Sequence, residues 1–192
     1  MPGRVRYTPK HSRIMEVFSA MRFNGILKWT AASALAVAMM MPGTMMAQAG
    51  GDTVLKPAEL QKLLPATVFY RGQTAPTELR NSGGVKLADG FYVLAALVDT
   101  SGYTTGVQAK YQAYLIAEVP IKVGGQSLAA GAYGVGIVDG KFVVTDLGAH
   151  DVLSAATSED AGMKRPLPLQ VTADAAGSFR LYVQRKYVVF SK

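Results

Sequence analysis

The 192-residue chain has no cysteine, and its single tryptophan and one of its two histidines, Trp29 and His11, lie in the first fifty residues. The absence of cysteine excludes disulfide bonds, thiol catalysis and thiolate metal sites. A core can still form, because a domain of about 150 residues buries roughly 70% of the surface that its unfolded chain exposes. The folded part must therefore be stabilised by that hydrophobic core alone.

Positive charge is also scarce once its position in the chain is considered. The formal net charge is +7, of which +5 lies before Gly50; residues 50–192 carry 14 basic and 12 acidic groups, leaving +2. Binding to nucleic acid needs several uncompensated basic groups that contact phosphates. We therefore expect no nucleic-acid partner.

The excess of basic residues belongs to a segment with the order of a secretory signal peptide. Two basic residues precede an apolar run over Trp29–Met41, and the tripeptide Ala-Gln-Ala at 47–49 follows it. A basic region, an apolar region and small residues at the cleavage site are the features of Sec-type export. The sequence predicts cleavage between Ala49 and Gly50 and a location in the bacterial periplasm or outside the cell.

A permanent membrane anchor is the competing interpretation of the same segment. Pro42 and Gly43 interrupt the apolar run after about 13 residues, whereas a spanning helix needs about 20. We therefore expect no permanent membrane anchor. The predicted organisation is an N-terminal extension and signal peptide over residues 1–49, followed by a single exported domain over 50–192.

The patterning of residues 50–192 predicts an all-β domain behind one short helix. Prolines near its start and after its end bracket a helix over Lys56–Leu64. Beyond it, turn dipeptides such as Asp89-Gly90 and Asp139-Gly140 separate about ten short strands. Such spacing is typical of an antiparallel sandwich or a small barrel.

Five segments carry more specific expectations. Phe91–Val98 does not alternate, which predicts a central strand covered on both faces. The Gly, Thr and Pro residues within Arg71–Glu78 predict a loop, and Gly83-Gly84 predicts a chain reversal. Lys110–Val119 has the composition of a long strand. Leu147–Pro168 is irregular, and we expect a long excursion with at most one short strand.

Candidate catalytic residues are sparse. His150 is the only histidine after Gly50, and Asp151 beside it points to the opposite face of an extended chain, so it is poorly placed to orient the imidazole. Asp99 and Glu118 each follow a strongly apolar strand and are the carboxylates best placed to form an acid pair. A hydrolase or isomerase that uses these groups is therefore kept as an alternative.

Glycine-rich sequence does not indicate a cofactor either. Gly131, Gly134 and Gly136 form the pattern G-x-x-G-x-G, which has the wrong order for a dinucleotide loop and precedes no predicted helix. One histidine and scattered carboxylates lack the spacing of a metal site. We therefore expect no cofactor and no metal.

Hydroxyl groups are concentrated in residues 99–105, directly after the predicted central strand. They could bind a polar ligand or close an Asx or Ser/Thr turn on their own backbone. The candidate ligand-binding residues are Arg71 as a charged anchor and, as hydrogen-bonding groups, Asp99, Ser101, Tyr103 and His150.

The sequence thus predicts an exported, non-catalytic β-domain protein that binds a small molecule, a glycan or a protein partner. An envelope-assembly or interaction module without a small ligand is the alternative, and it would use an exposed sheet edge or the strand Tyr187–Phe190. An enclosed cavity of at least about 300 Å³ would favour the first function, and a filled core the second. No pattern in the sequence specifies an oligomeric state.

Overall fold

The computed structural model describes residues 51–175 and 177–192 of the chain. The predicted signal peptide and its cleavage site between Ala49 and Gly50 lie outside the described residues. Among the residues that are described, no helix combines the length and the apolar composition needed to cross a membrane.

The described residues contain two short helices and fourteen strands. In chain order they are β1 (Thr53–Val54), α1 (Pro57–Leu63), β2 (Thr67–Tyr70), β3 (Gln73–Lys86), β4 (Tyr92–Val98), α2 (Thr105–Lys110), β5 (Ala113–Ala117), β6 (Ile121–Val123), β7 (Gln126–Leu128), β8 (Gly131–Val138), β9 (Lys141–Thr145), β10 (Asp151–Ala156), β11 (Ser158–Glu159), β12 (Leu169–Ala173), β13 (Ser178–Val183) and β14 (Lys186–Ser191).

The strands form two antiparallel sheets. The first has eight strands in the order β1-β3-β4-β5-β8-β9-β10, with β2 also paired to β3; the second has six in the order β12-β13-β14-β6-β7, with β11 also paired to β14. The predicted β class, antiparallel pairing and leading helix are confirmed. The number of strands exceeds the expected ten because several of them, such as β1 and β11, are only two residues long.

Apolar side chains from both sheets form one hydrophobic core. Val85, Val135 and Phe142 of the first sheet belong to the same cluster as Phe179 and Phe190 of the second. The rings of this phenylalanine pair lie 5.4 Å apart between centroids. Because a fully buried side chain of this type contributes about 1.5–3 kcal/mol, the core can hold the two sheets together without disulfide bonds.

Strand β4 is covered on both of its faces, as its lack of alternation predicted. Val93 and Ala95 contribute to the core between the sheets. Leu94 and Ala96 lie on the opposite face, in a smaller cluster with Leu60 of α1. Helix α1 therefore covers part of the outer face of the first sheet.

The two sheets approach each other closely where β3 passes β12. A Cβ atom on Gly83 would lie 2.5 Å from the backbone nitrogen of Val171 and 2.9 Å from the carbonyl carbon of Gln170. The predicted reversal at Gly83-Gly84 is wrong, because both glycines lie inside β3. Glycine is needed at position 83 because any side chain there would prevent this backbone contact. It does not form a turn.

The loop predicted over Arg71–Glu78 is also wrong. The chain reverses at Arg71 and Gly72 alone, and β3 begins at Gln73 and pairs with β2 along its first four residues. The register of β3 against β4 then shifts between Glu78 and Ser82. A bulge of this kind lets one strand change direction without ending, and the turn-forming residues in the segment hid it.

A second helix replaces the start of the strand predicted over Lys110–Val119. Helix α2 ends at Lys110, and β5 begins only at Ala113. Gly106 and Val107 have low helix propensity, but Val107 is buried in an aromatic cluster, so tertiary packing determines the conformation. The excursion Leu147–Pro168 likewise contains two strands, β10 and β11, where at most one was expected.

The substitution Gly83→Ala tests the contact between the sheets. We expect it to lower the free energy of unfolding by about 2–3 kcal/mol, because the new methyl group meets backbone atoms that cannot rotate away. Urea denaturation measures the loss. Gly162→Ala is the control, since a Cβ there lies 3.5 Å from its nearest neighbour, an Asp160 oxygen. Equal effects of the two substitutions would contradict the close approach.

Candidate functional site

A cleft of about 190 Å³ lies where the β2–β3 turn, helix α2 and the β9–β10 loop meet at one end of the first sheet. We call it the Arg71 cleft. Each of the three segments contributes side chains or backbone to its wall: Tyr70, Arg71, Thr104, Gly106, Val107, Lys110 and Ala149.

Three buried tyrosines pack against one another beside the cleft. The rings of Tyr70 and Tyr111 stack with centroids 3.8 Å apart, and the Tyr103 ring meets them edge-on at 6.2 and 5.7 Å. A Cβ atom on Gly134 would lie 2.6 Å from Tyr70 and 2.9 Å from Tyr111. The glycine therefore makes room on β8 for the stack, which joins α2 to the first sheet.

The hydroxyl groups of the three tyrosines differ in their partners. The Tyr70 hydroxyl lies 2.8 Å from the Thr145 hydroxyl, which in turn donates to the Gly134 carbonyl. The Tyr103 hydroxyl donates to the carbonyls of Tyr70 and Gln73. The buried Tyr111 hydroxyl has no partner among the described residues. Burial raises the pKa of both Tyr103 and Tyr111, so both remain protonated.

Arg71 adopts a left-handed backbone conformation. Its φ is 46° and that of Gly72 is 80°, and together they form the two-residue turn between β2 and β3. Positive φ at both positions is typical of a type I′ turn, which favours Asn or Asp followed by Gly. The corresponding turn between β8 and β9 contains Asp139 and Gly140, with φ values of 50° and 73°.

Ala149, on the opposite wall of the cleft, also has a positive φ, of 70°. Its loop is closed by Asp146, whose carboxylate accepts the backbone N–H groups of Gly148 and His150. The same carboxylate lies 3.0 Å from the His150 Nδ1. Hydrogen bonds from the His150 backbone N–H and, to a smaller extent, from the His150 side chain lower the pKa of Asp146. Non-glycine residues in strained conformations are concentrated at functional sites, and the Arg71 cleft has one on each of two walls.

The structure distributes the five predicted ligand-binding residues unevenly. Arg71 lines the cleft, and Tyr103 lies buried behind it in the tyrosine stack. The Asp99 carboxylate accepts the Ser101 backbone N–H at 3.0 Å, and this hydrogen bond lowers the pKa of Asp99. The contact is the Asx turn that was the alternative to ligand binding for residues 99–105. The His150 side chain is 82% exposed and does not line the cleft. Only Arg71 of the five directly contributes to the cleft wall.

The predicted acid pair is not assembled. In the antiparallel pairing of β4 with β5, the Glu118 carboxylate accepts the Tyr92 N–H at the beginning of β4, whereas Asp99 follows its end. Seven residues of strand at about 3.3 Å each separate the two carboxylates by roughly 20 Å, but a glycosidase needs about 5–10 Å. The partner of His150 is Asp146 and not its neighbour Asp151.

Several residues of the cleft were missed by sequence reasoning. Tyr70 and Lys110 are not among the candidate ligand-binding residues, and the strand predicted over Lys110–Val119 would place Tyr111 and Tyr114, three residues apart, on opposite faces. Both Tyr111 and Tyr114 are instead buried in the same cluster, because Tyr111 ends α2 and Tyr114 lies on β5. One sequence signal did mark this region. Arg71, which is polar and not β-branched, is followed by Gly72 between two strands, and this pattern is compatible with a left-handed two-residue turn.

Within residues 51–175 and 177–192, no three histidine, aspartate or glutamate side chains come together to hold a metal ion. Comparisons of the chain with protein-family models, with curated proteins and with solved structures give no match.

The turn at Arg71 leads to a prediction about stability. We expect Arg71→Asn to raise the free energy of unfolding by about 1 kcal/mol, because asparagine tolerates a positive φ better than arginine does. The reciprocal change Asp139→Arg, in the matching turn, should lower it by a similar amount. Urea denaturation of both variants measures the pair. A loss of stability in Arg71→Asn would contradict the assignment of strain to this residue.

The tyrosine stack leads to a second prediction. Thr145→Val should lower the free energy of unfolding by about 1–3 kcal/mol, because it leaves the buried Tyr70 hydroxyl without its partner. Tyr111→Phe is the matched control in the same cluster, and it should be neutral or stabilising because it removes a hydroxyl that is already unpaired. Thermal unfolding compares the two variants. Equal destabilisation would show that packing and not hydrogen bonding dominates here.

Proposed function

We infer that the chain is an exported, non-catalytic binding protein whose folded part is a filled β-sandwich and whose ligand occupies the Arg71 cleft. Export rests on the order of features in residues 1–49, and the sandwich rests on the hydrophobic core that both sheets share. The separation of Asp99 from Glu118 and the exposure of His150 favour binding over the hydrolase or isomerase.

The filled core is the outcome that favours the interaction module over an enclosed ligand site, so a small ligand has to bind at the surface. Large apolar side chains from both sheets occupy the interior, so a ligand enclosed in a barrel is not favoured. Three other surface clefts of the described residues, of about 410, 460 and 430 Å³, are larger than the Arg71 cleft. The Arg71 cleft is preferred because it lies beside the tyrosine stack and has two non-glycine residues of positive φ, Arg71 and Ala149, in its wall.

The observation that carries the proposal is the conformation of Arg71. An arginine stands at a turn position where asparagine or aspartate is more stable, and its guanidinium has no ion pair among the described residues. A local rule broken at a cost in stability is most often broken at a functional site. Arg71 therefore contributes more to binding than to folding.

An interaction module is the second candidate, and two observations favour it. The core is filled, and Phe69 on β2 is 54% exposed beside the turn that carries Arg71. A protein partner could cover this ring while placing one side chain in the cleft. Aromatic residues and arginine are both enriched at protein interfaces relative to the rest of the surface.

Blocking the cleft tests the proposal. A Cβ atom on Gly106 would meet nothing within 4 Å, so Gly106→Leu should fill the cleft without disturbing the fold, and leucine is a better helix former than glycine. We expect benzoate, phenol, glucose or inorganic phosphate to bind the purified protein, and the variant to lose at least about tenfold in affinity by calorimetry.

Gly162→Leu is the control for this experiment, because Gly162 lies in an exposed loop outside the cleft. It should bind the same probes as the unchanged protein does. Binding that survives Gly106→Leu places the ligand elsewhere and contradicts the proposed function. Failure of every probe to bind the unchanged protein would favour the interaction module.

A further inference from the structure

The two cations of the Arg71 cleft differ in how they are neutralised. The Lys110 ammonium donates to both carboxylate oxygens of Asp151, at 2.7 and 2.8 Å. Arg71 makes no such pair within the described part of the chain. In the β9–β10 loop, the Asp146 carboxylate lies 3.0 Å from the His150 Nδ1. Arg71 is thus the one cation of the cleft wall that lacks a carboxylate among the described residues.

The remainder of the wall is mixed and consists of Tyr70, Thr104, Gly106, Val107 and Ala149. Tyr70 and Val107 are 1% and 6% exposed, so each offers the cleft only a small part of its surface. A volume of about 190 Å³ is below the range of about 300–1,000 Å³ that is usual for drug-sized ligands. The ligand must therefore be small.

We propose that the Arg71 cleft binds a small anion, whose carboxylate or phosphate group is held by Arg71. Asp151 acts as an internal competitor, which occupies Lys110 until the ligand's oxyanion takes its place. This inference depends on the proposed function, since it names the class of ligand for the same cleft.

The chemistry of the two cations supports the displacement of Asp151 from Lys110 by the ligand. A guanidinium presents paired N–H groups that match the two oxygens of a carboxylate or phosphate. The Lys110–Asp151 pair is 40% and 57% exposed, and ion pairs of such exposure are weak. An incoming anion bound to Arg71 can therefore displace Asp151 from Lys110 at little cost.

Calorimetric titration of the purified protein with benzoate and with inorganic phosphate tests the proposal. Arg71→Asn should weaken benzoate binding by at least about tenfold, because it removes charge-assisted hydrogen bonds. Asp151→Asn should strengthen it several-fold, since Lys110 is then free for the ligand. Affinity should also fall as the salt concentration rises.

Two controls separate local from general charge effects. Asp174→Asn adds the same charge as Asp151→Asn but releases Arg180, which lies outside the cleft wall, and it should leave benzoate binding unchanged. Arg165→Asn removes a cation from an exposed loop and should also have no effect. Equal strengthening by Asp174→Asn and Asp151→Asn would overturn the competitor role of Asp151.

The outcomes distinguish this inference from the proposed function. If benzyl alcohol binds as well as benzoate, loses affinity in Gly106→Leu and is indifferent to Arg71→Asn, the cleft binds ligands but the anion inference is wrong. If no probe responds to Gly106→Leu, the proposed function itself fails.

Discussion

The outer face of the first sheet must be shielded from water, and this requirement organises the rest of the molecule. Its inner face packs on the second sheet, but β4 is apolar on both sides. Leu60 of α1 covers one part of the outer face, and the tyrosine stack covers another. Because short helices are unstable alone, α1 and α2 exist only through this packing, and the Arg71 cleft forms at the edge of the second cover.

The main architectural features could be predicted from local sequence. Strand alternation, the Asp139-Gly140 turn and the apolar run of β4 each report a constraint that acts between neighbours in the chain. The helix Lys56–Leu64 was predictable for the same reason, since its prolines and the Glu59 carboxylate, which accepts the Lys56 N–H at 2.8 Å, act locally. These features needed no knowledge of the distant chain.

What could not be predicted depends on contacts between distant segments. In the sequence alone, Gly83 resembles a turn residue, but its role is to allow close contact with β12. Gly134 likewise resembles a hairpin residue, but its role is to leave space for Tyr70 and Tyr111. Helix α2 has poor helix formers, and only the burial of Val107 in the aromatic cluster makes it helical. The Arg71 cleft combines residues up to 79 positions apart, from Tyr70 to Ala149, so no local pattern could assemble it.

Arg71 is the point at which local and distant constraints conflict. At the β8–β9 turn the chain has Asp139, a residue that suits positive φ, but at the β2–β3 turn of the same geometry it has arginine. The tyrosine stack fixes Tyr70 next to this turn, so the backbone of the turn that carries Arg71 has a rigid neighbour. Because this backbone is ordered during folding, its conformational cost is not part of the cost of binding. Such an arrangement favours a small ligand over a large one, since a few contacts then suffice.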